Sequence, residues 1–382
     1  MTDRVEGYDA PRVLGCVEGP EPGPILIVVG GLHGNEPSGV QALQRLIPKL
    51  AADPRGLEHG RFIGLTGNRQ ALRRRQRYIS HDLNRHWLPE RVERLKATSA
   101  PLSDEDAELK ELNQEIERQL ESATHNVYLL DLHTTSGPEL PFATLEDDLA
   151  NRPFAFAFPV PVVLGLEEEL AGTLNTYVAS RGIITAGFES GQHGTDSAVD
   201  RAEAAIWIAL ETSGVLQPGS RPEAAAARKQ LADDNGKLPH VVEVRYRHAI
   251  RPEDQYRMDP GYNNFHSVTK GLRVGQDRRG PVETPISGLM LMPLYQAQGA
   301  DGFFIVKPVY PIWLALSAMV RRWRLERILH FLPGVQRHPE LAGSFVVDRR
   351  YARWLSLELF HLLGFVCHDK GSRIQVMTRR DH

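Results

Sequence analysis

Short apolar runs alternate with segments of helical spacing through roughly the first 215 residues of the chain. The runs are Ile25–Val29, Arg61–Thr66, Val127–Leu132, Pro161–Leu164 and Ile183–Phe188. Their near-continuous apolar character predicts strands covered on both faces. Between them, Val40, Leu43, Leu46, Ile47 and Leu50 recur at helical spacing. Asp104–Leu120 is charged but carries a leucine/isoleucine stripe, and Ala198–Leu210 reads as a further helix. The alternation predicts an α/β fold, a sheet flanked by helices on both sides.

The pattern then changes twice. Gln217-Pro218-Gly219-Ser220 and the alanine- and charge-rich stretch Glu223–Asp234 resemble a linker or an exposed helix. From Leu238 the chain takes on a period of two in Val241-Val242-Glu243-Val244-Arg245-Tyr246, and glycines punctuate short segments as far as Phe304-Ile305-Val306, which predicts a small all-β domain. Beyond it, Trp313–Leu332 and Tyr351–Phe365 read as amphipathic helices. The expected organisation is an α/β domain over 1–216, a linker over 217–237, a β domain over 238–310 and a helical basic extension over 311–382.

Composition narrows the class. Apolar residues make up 41% and charged residues 24%, values of a globular chain, in a length that exceeds one ordinary domain. A net charge of −3 gives no general nucleic-acid footprint. The extension differs, with 12 Lys/Arg against 6 Asp/Glu, including Arg321, Arg322, Arg324 and Arg327; a solvated helix face is the ordinary reading of such a run. Cys16 and Cys367, far apart and the only cysteines, exclude a disulfide framework and a thiolate zinc site. The start of the chain shows no secretory pattern, and the most apolar tail segment, Pro311–Val320, falls well short of the ~20 residues that span a bilayer. A cytoplasmic protein is expected, with no nucleic-acid or membrane partner; homo-oligomerisation is left open.

The chemistry-bearing residues lie where the apolar runs end. Ile25–Val29 leads into Gly30-Gly31-Leu32-His33-Gly34-Asn35-Glu36, placing His33 and Glu36 on a turn at the carboxyl end of a buried strand. His133 closes another run, Asn126–Leu130, in Asp131-Leu132-His133. Imidazole nitrogen and carboxylate oxygen are ligands that zinc takes readily. A second block runs from Gly67-Asn68-Arg69-Gln70-Ala71 through Arg77-Tyr78 to Asp82-Leu83-Asn84-Arg85. Arg73, Arg74 and Arg75 in it read as solvated surface, whereas Arg77 and Arg85 flank a turn suited to capture of a carboxylate. A third block is Gly187-Phe188-Glu189-Ser190-Gly191, where Glu189 ends a strand; a carboxylate there is costly unless solvated, paired or catalytic.

Together these blocks resemble the succinylglutamate desuccinylase/aspartoacylase family, a branch of the zinc carboxypeptidase clan. GLHGNE (31–36), NRQA…RY…DLNR (68–85), DLH (131–133) and ESG (189–191) stand in the family order, and the resemblance spans roughly residues 20 to 310. It implies a zinc carboxypeptidase-like mixed sheet with a smaller β domain, and one Zn2+ per chain held by His33, Glu36 and His133. It makes Glu189 the general base, Arg77 the group facing the scissile carbonyl, and Asn84 with Arg85 the clamp on a substrate carboxylate. Asp131, on the same side of its strand as His133, is placed to orient the imidazole. Arg181 is a further substrate arginine by the same resemblance, and Tyr262 and Tyr295 of the β domain are candidate contributors that read equally as core or surface aromatics. The implied activity is deacylation of a small N-acyl amino acid or related carboxylate-bearing N-acyl amine. Two alternatives share the residues: a zinc carboxypeptidase acting on short peptides, and a non-catalytic small-acid-binding protein on the same fold.

Overall fold

The computed structural model of the chain describes residues 8–99, 102–137, 140–323, 331, 334–338, 344–348, 365–367 and 374–379. The first part runs β1 (Val13–Glu18), β2 (Glu21–Gly30), α1 (Ser38–Ala52), β3 (His59–Thr66), α2 (Arg69–Arg74), α3 (Pro89–Ala97), α4 (Asp104–Glu121) and β4 (Val127–Thr135). There follow β5 (Phe142–Thr144), α5 (Arg152–Ala155), β6 (Val162–Leu164), α6 (Leu166–Glu169), α7 (Leu174–Ala179), β7 (Ile184–Gln192), α8 (Asp196–Thr212) and α9 (Pro222–Asn235). All five expected strands are present. The short strands β1 and β5 are additions: β1 carries no continuous apolar run and β5 is only three residues long.

Strands β3, β2, β4 and β7 pair parallel and form the centre of the sheet. Alternation along them divides the core in two. Leu26, Val28, Leu130 and Leu132 pack on one face with α1, α8 and α9. Ile25, Ile27, Val29, Val127 and Leu129 pack on the other with α3, α4 and α7. Helix α1 buries Val40, Leu43, Leu46, Ile47 and Leu50, the stripe seen in the sequence. Helix α4 starts at Ser103, whose hydroxyl accepts from Asp106 N–H, and its acidic first turn complements the helix dipole.

The stretch expected as a linker or an exposed helix is largely helix α9. Ala224, Ala227 and Leu231 bury at helical spacing into the main core, so this segment is docked rather than extended. The β region is likewise continuous with the rest. Beyond α9 come β8 (Val241–Ala249), β9 (Arg257–Met258), β10 (Ser267–Val268), β11 (Arg273–Asp277), β12 (Gly280–Glu283), β13 (Gly288–Leu291) and β14 (Asp301–Pro308). Strand β6 pairs parallel with β8, so one mixed sheet of 11 strands runs β1-β3-β2-β4-β7-β5-β6-β8-β14-β13-β10. A separate sheet holds β12, β11 and β9. Phe142, Val163, Leu166, Phe265 and Phe304 form one apolar cluster across the join, the physical reason that position 238 marks no break.

The extension begins with α10 (Pro311–Arg322) and adds an antiparallel sheet of β15 (Val335–Arg337), β16 (Phe345–Asp348), β17 (Phe365–Cys367) and β18 (Ile374–Arg379). The expectation of a purely helical extension therefore holds only for its first helix. The second expected helix, Tyr351–Phe365, lies outside the described residues except for Phe365, which opens β17. Arg321, expected on a solvated face, is buried instead. Its guanidinium donates to Asp147 Oδ2 (3.2 Å) and to Asp147 O (2.6 Å), and Arg152 donates to the same carboxylate and to Ser317. Among the described residues no helix is long and apolar enough to cross a membrane.

Candidate metal centre and active site

Because β2, β4 and β7 are parallel neighbours, their carboxyl ends open on one edge, where α/β sheets place ligands. Register brings the ends together: Gly30 pairs with Leu132 and His133 with Glu189. The loop after β2 is tight. Gly31 has φ +72°, and a Cβ at Gly34 would lie 2.1 Å from the Ala71 carbonyl carbon. Any side chain at 34 would push the loop off α2 and carry His33 and Glu36 with it.

His33, Glu36 and His133 converge so that one donor atom from each lies within 4.8 Å of the others. His33 Nδ1 is 2.9 Å from Glu36 Oε1, and His133 Nδ1 is 3.1 Å from Glu36 Oε2. Thr134 N–H donates to Glu36 Oε2 at 3.0 Å. The outer ring nitrogens are fixed by two other carboxylates: His33 Nε2 is 3.0 Å from Asp82 Oδ1, and His133 Nε2 is 2.8 Å from Asp131 Oδ2. Each imidazole thus turns Nδ1 toward Glu36 and is held from behind, the arrangement that orients metal-binding histidines. Two imidazole nitrogens and a carboxylate with such backing fit one divalent ion of zinc type.

Electrostatics follow from burial. Burial pushes the Glu36 carboxyl up, but His33 and His133 more than offset it and hold the group well below the usual carboxylate range. Asp82 behaves alike, with burial outweighed by His33 and Arg77. His133 goes the other way: burial lowers its pKa, yet Asp131 and Glu36 raise it well above the ordinary imidazole value. Glu189 is pushed up to about 8, chiefly by burial, with Glu36 and Asp131 adding to it. Its Oε2 is a buried oxygen with no hydrogen-bond partner among the described residues.

The segment carrying the arginines is held by Glu105 in the first turn of α4, which accepts from Ile79 N–H (2.6 Å) and Ser80 N–H (3.0 Å). Arg77 donates to Asp82 Oδ2 (3.1 Å) and approaches Glu36 Oε1 (3.4 Å). Asp82 also caps the short turn Leu83–Arg85 by accepting from Asn84 N–H at 2.9 Å. One carboxylate therefore fixes an imidazole, a guanidinium and a turn. Asn84 Oδ1 accepts from Leu174 N–H (2.8 Å), which fixes the orientation of its amide. Arg85 donates to Asn84 O (2.8 Å) and lies 3.9 Å from Asp301, a residue of β14.

These residues line an inner cavity of about 60 Å³ that contains His33, Glu36, His133, Glu189, Arg77, Asn84 and Arg85. A larger cavity of about 240 Å³, sharing Arg77, Arg85, Thr134 and Met292, is walled by the β region from Ile250 to Asp301. Met292 adopts φ +52°, the left-handed region a side chain rarely takes, with its N–H held by Asn264.

Arg181 does not join the site. It precedes β7, at the end opposite Glu189, and pairs on the surface with Glu117 at 3.6 Å. Tyr262 and Tyr295 bond to one another: Tyr262 N–H donates to the Tyr295 hydroxyl at 3.0 Å. Sequence reasoning missed Asp82, although it sits inside a quoted motif. The signal was the same as for Asp131, an acid among candidate ligands. It also missed Glu167, Thr173 and Asn175 in the inner cavity wall. Glu167 lies in a Glu-Glu-Glu run that reads as solvated surface.

Comparison with known proteins finds likeness in sequence and in fold. Residues 22–207 match the model of the succinylglutamate desuccinylase/aspartoacylase catalytic domain. Over 139 residues the chain is 30% identical to the succinylglutamate desuccinylase of Photorhabdus laumondii, covering 35% of this chain and 40% of that protein. Over 60 residues it is 42% identical to that of Pseudomonas aeruginosa, 16% of this chain and 18% of that one. A probable aspartoacylase of Synechococcus is 46% identical over 70 residues, 18% and 22% of the two chains. The aligned stretches thus span less than half the length of these curated relatives. In fold, a Rhodobacter sphaeroides succinylglutamate desuccinylase/aspartoacylase superposes with TM-score 0.56 at 18% identity, covering 78% of this chain and 88% of that one. The product-bound ectoine utilization protein EutE (DoeB) of Ruegeria pomeroyi superposes with TM-score 0.54 at 18% identity, covering 77% and 87%.

Proposed function

Since this chain belongs to the succinylglutamate desuccinylase/aspartoacylase family through residues 22–207, we propose that it hydrolyses the amide bond of a small N-acyl amino acid or related carboxylate-bearing N-acyl amine, with Zn2+ as its resident metal. The observation that carries the reading is the meeting of His33, Glu36 and His133 with a solitary buried Glu189 oxygen and two arginines in one cavity.

Zn2+, when bound, supplies Lewis acidity, acidification of water and a divalent charge that favours the ionised form of a nearby carboxyl. His33, Glu36 and His133 would hold it, with Asp82 and Asp131 fixing the two rings. Glu189 takes a proton from the attacking water and returns it to the leaving nitrogen, so the amine departs neutral. Its lack of a hydrogen-bond partner keeps Oε2 free for that exchange. Arg77 places a positive charge beside the oxygen on which negative charge develops, a preorganised interaction that gains from exclusion of water. Arg85 and the Asn84 amide hold the substrate carboxylate and set the register of the scissile bond. The wall from the β region narrows the approach, which favours small substrates over polypeptides.

The test is metal content and hydrolysis measured on one preparation against N-acetyl and N-succinyl amino acids and short peptides. About one zinc per chain with release of a free amino acid from an acyl amide is the expected outcome. Cleavage of peptides alone moves the protein to the carboxypeptidase side. Stoichiometric metal with no turnover of either class overturns the reading in favour of a binding protein.

A further inference from the structure

The inner cavity contains a second carboxylate that the hydrolytic mechanism leaves unused. Glu167, in α6, is buried and lines the same cavity as Glu189, Asn84 and Arg85. Its Oε1 accepts from Thr144 Oγ1 (2.9 Å) and Asn175 Nδ2 (3.2 Å), and its Oε2 accepts from Thr173 Oγ1 (2.8 Å). The three donors come from β5, from α7 and from the residue that caps α7. All are neutral. The hydrogen bonds fix the carboxylate without cancelling its charge, and a buried charge left uncompensated is costly. Arg85 is the cavity cation whose charge couples to Glu167, and Arg85 is already shared with Asp82 and Asp301.

We propose that Glu167 is a specificity-determining residue that receives the cationic end of a short basic side chain on the amino-acid half of the substrate. Arg85 and Asn84 hold the α-carboxylate of that same half, so the cavity presents a cation for the acid and an anion for the base. Leu166, Leu170 and Met292 in the wall cover the intervening methylenes. A second carboxylate in this position would face Glu167 and be repelled, which disfavours acidic amino acids as the amine half. This inference rests on the deacylase reading.

A purely structural role for Glu167, tying β5 to α7, is distinguishable through Glu167→Gln. The amide oxygen can accept from Thr144 and Asn175 while its NH2 donates to the Thr173 hydroxyl, so the network stays and the charge goes. Calorimetric binding of free ornithine, norvaline and glutamate to wild type and Glu167→Gln is measured first, then hydrolysis of their Nα-acetyl derivatives by the zinc-loaded protein. The expected result is ornithine bound at least ~10-fold more tightly than norvaline, with glutamate weakest, and a ratio reduced to within about 3-fold by the substitution. Equal or tighter binding of norvaline or glutamate by wild type overturns the proposal. So does an equal loss for all three ligands in Glu167→Gln, the mark of a structural residue. A preference for ornithine without hydrolysis of any acetyl derivative sinks the deacylase reading and leaves the recognition standing. Hydrolysis without the preference does the reverse.

Discussion

The two parts of the inner cavity wall handle negative charge in opposite ways. Around the metal-type cluster, Glu36, Asp82 and Asp131 each meet an imidazole or a guanidinium at hydrogen-bond distance. At Glu167 the partners are two hydroxyls and an amide. In the first region a ring or guanidinium nitrogen meets each carboxylate, so its side chains are held in place before any ligand arrives, which is what an oriented constellation requires. The second holds its carboxylate in place and leaves the counter-charge to be brought by the ligand. Glu189 stands between these regimes, buried among charges with one oxygen that has no hydrogen-bond partner among the described residues. On the proposed function, one cavity thus separates the work of reaction from the work of selection by how each carboxylate is partnered.

The comparison breaks most visibly at Glu189. Glu189→Gln with metal still bound is expected to lower turnover by about 10²–10⁴-fold, the contribution of a positioned proton-transfer group. Retention of most activity would remove Glu189 from the mechanism.

A smaller effect sharpens the contrast between locked and unlocked carboxylates. Asp131→Asn and Asp82→Asn should each weaken metal affinity by about 10–100-fold in a competition titration with a chelator, because each loosens an imidazole from behind. Glu167→Gln should leave that affinity within about 3-fold, since the residue touches neither ring. Equal losses in all three variants would mean that the wall acts as one structural unit. Asp82→Asn should also reduce turnover of the fully loaded enzyme, because Arg77 depends on the same carboxylate.

The smallest expected effect lies in the stability of the metal-free protein. The folded pKa of Glu189, about 8, is above its unfolded value, so the proton it binds contributes stability that is fully present below about 4.5. That contribution is lost as pH rises through about 8. Metal-free Glu189→Gln should therefore melt roughly 2–5 °C above metal-free wild type at pH 8.5, with the gap closing toward pH 5. A gap of the same size at both pH values would show that the substitution acts through packing rather than through the proton.

Much of the active edge was legible from sequence because its signals are local. An apolar run ending in Gly-Gly-Leu-His, and another ending in Asp-Leu-His, place chemistry at strand ends by periodicity alone. The same logic reached Glu189. The resemblance, not periodicity, suggested Arg181, which lies near Glu189 in sequence but at the opposite end of β7; strand direction turns an eight-residue separation into the length of the strand. Arg321 was read as solvated because its neighbours are arginines. Its burial depends on Asp147, 174 positions away, a pairing that no local pattern encodes.

The sequence by itself determined the strands, the two-faced core, the ligand-type side chains and the turn that bears them. These depend on residue type and spacing within a few positions. Tertiary structure decided which carboxylate backs which histidine, that the β region continues the main sheet through β6 and β8, and that Glu167 faces the cavity rather than solvent. Each of those outcomes is a contact between segments far apart in the chain. Burial gives a carboxylate its energetic meaning, and burial becomes defined only when distant segments have closed around it.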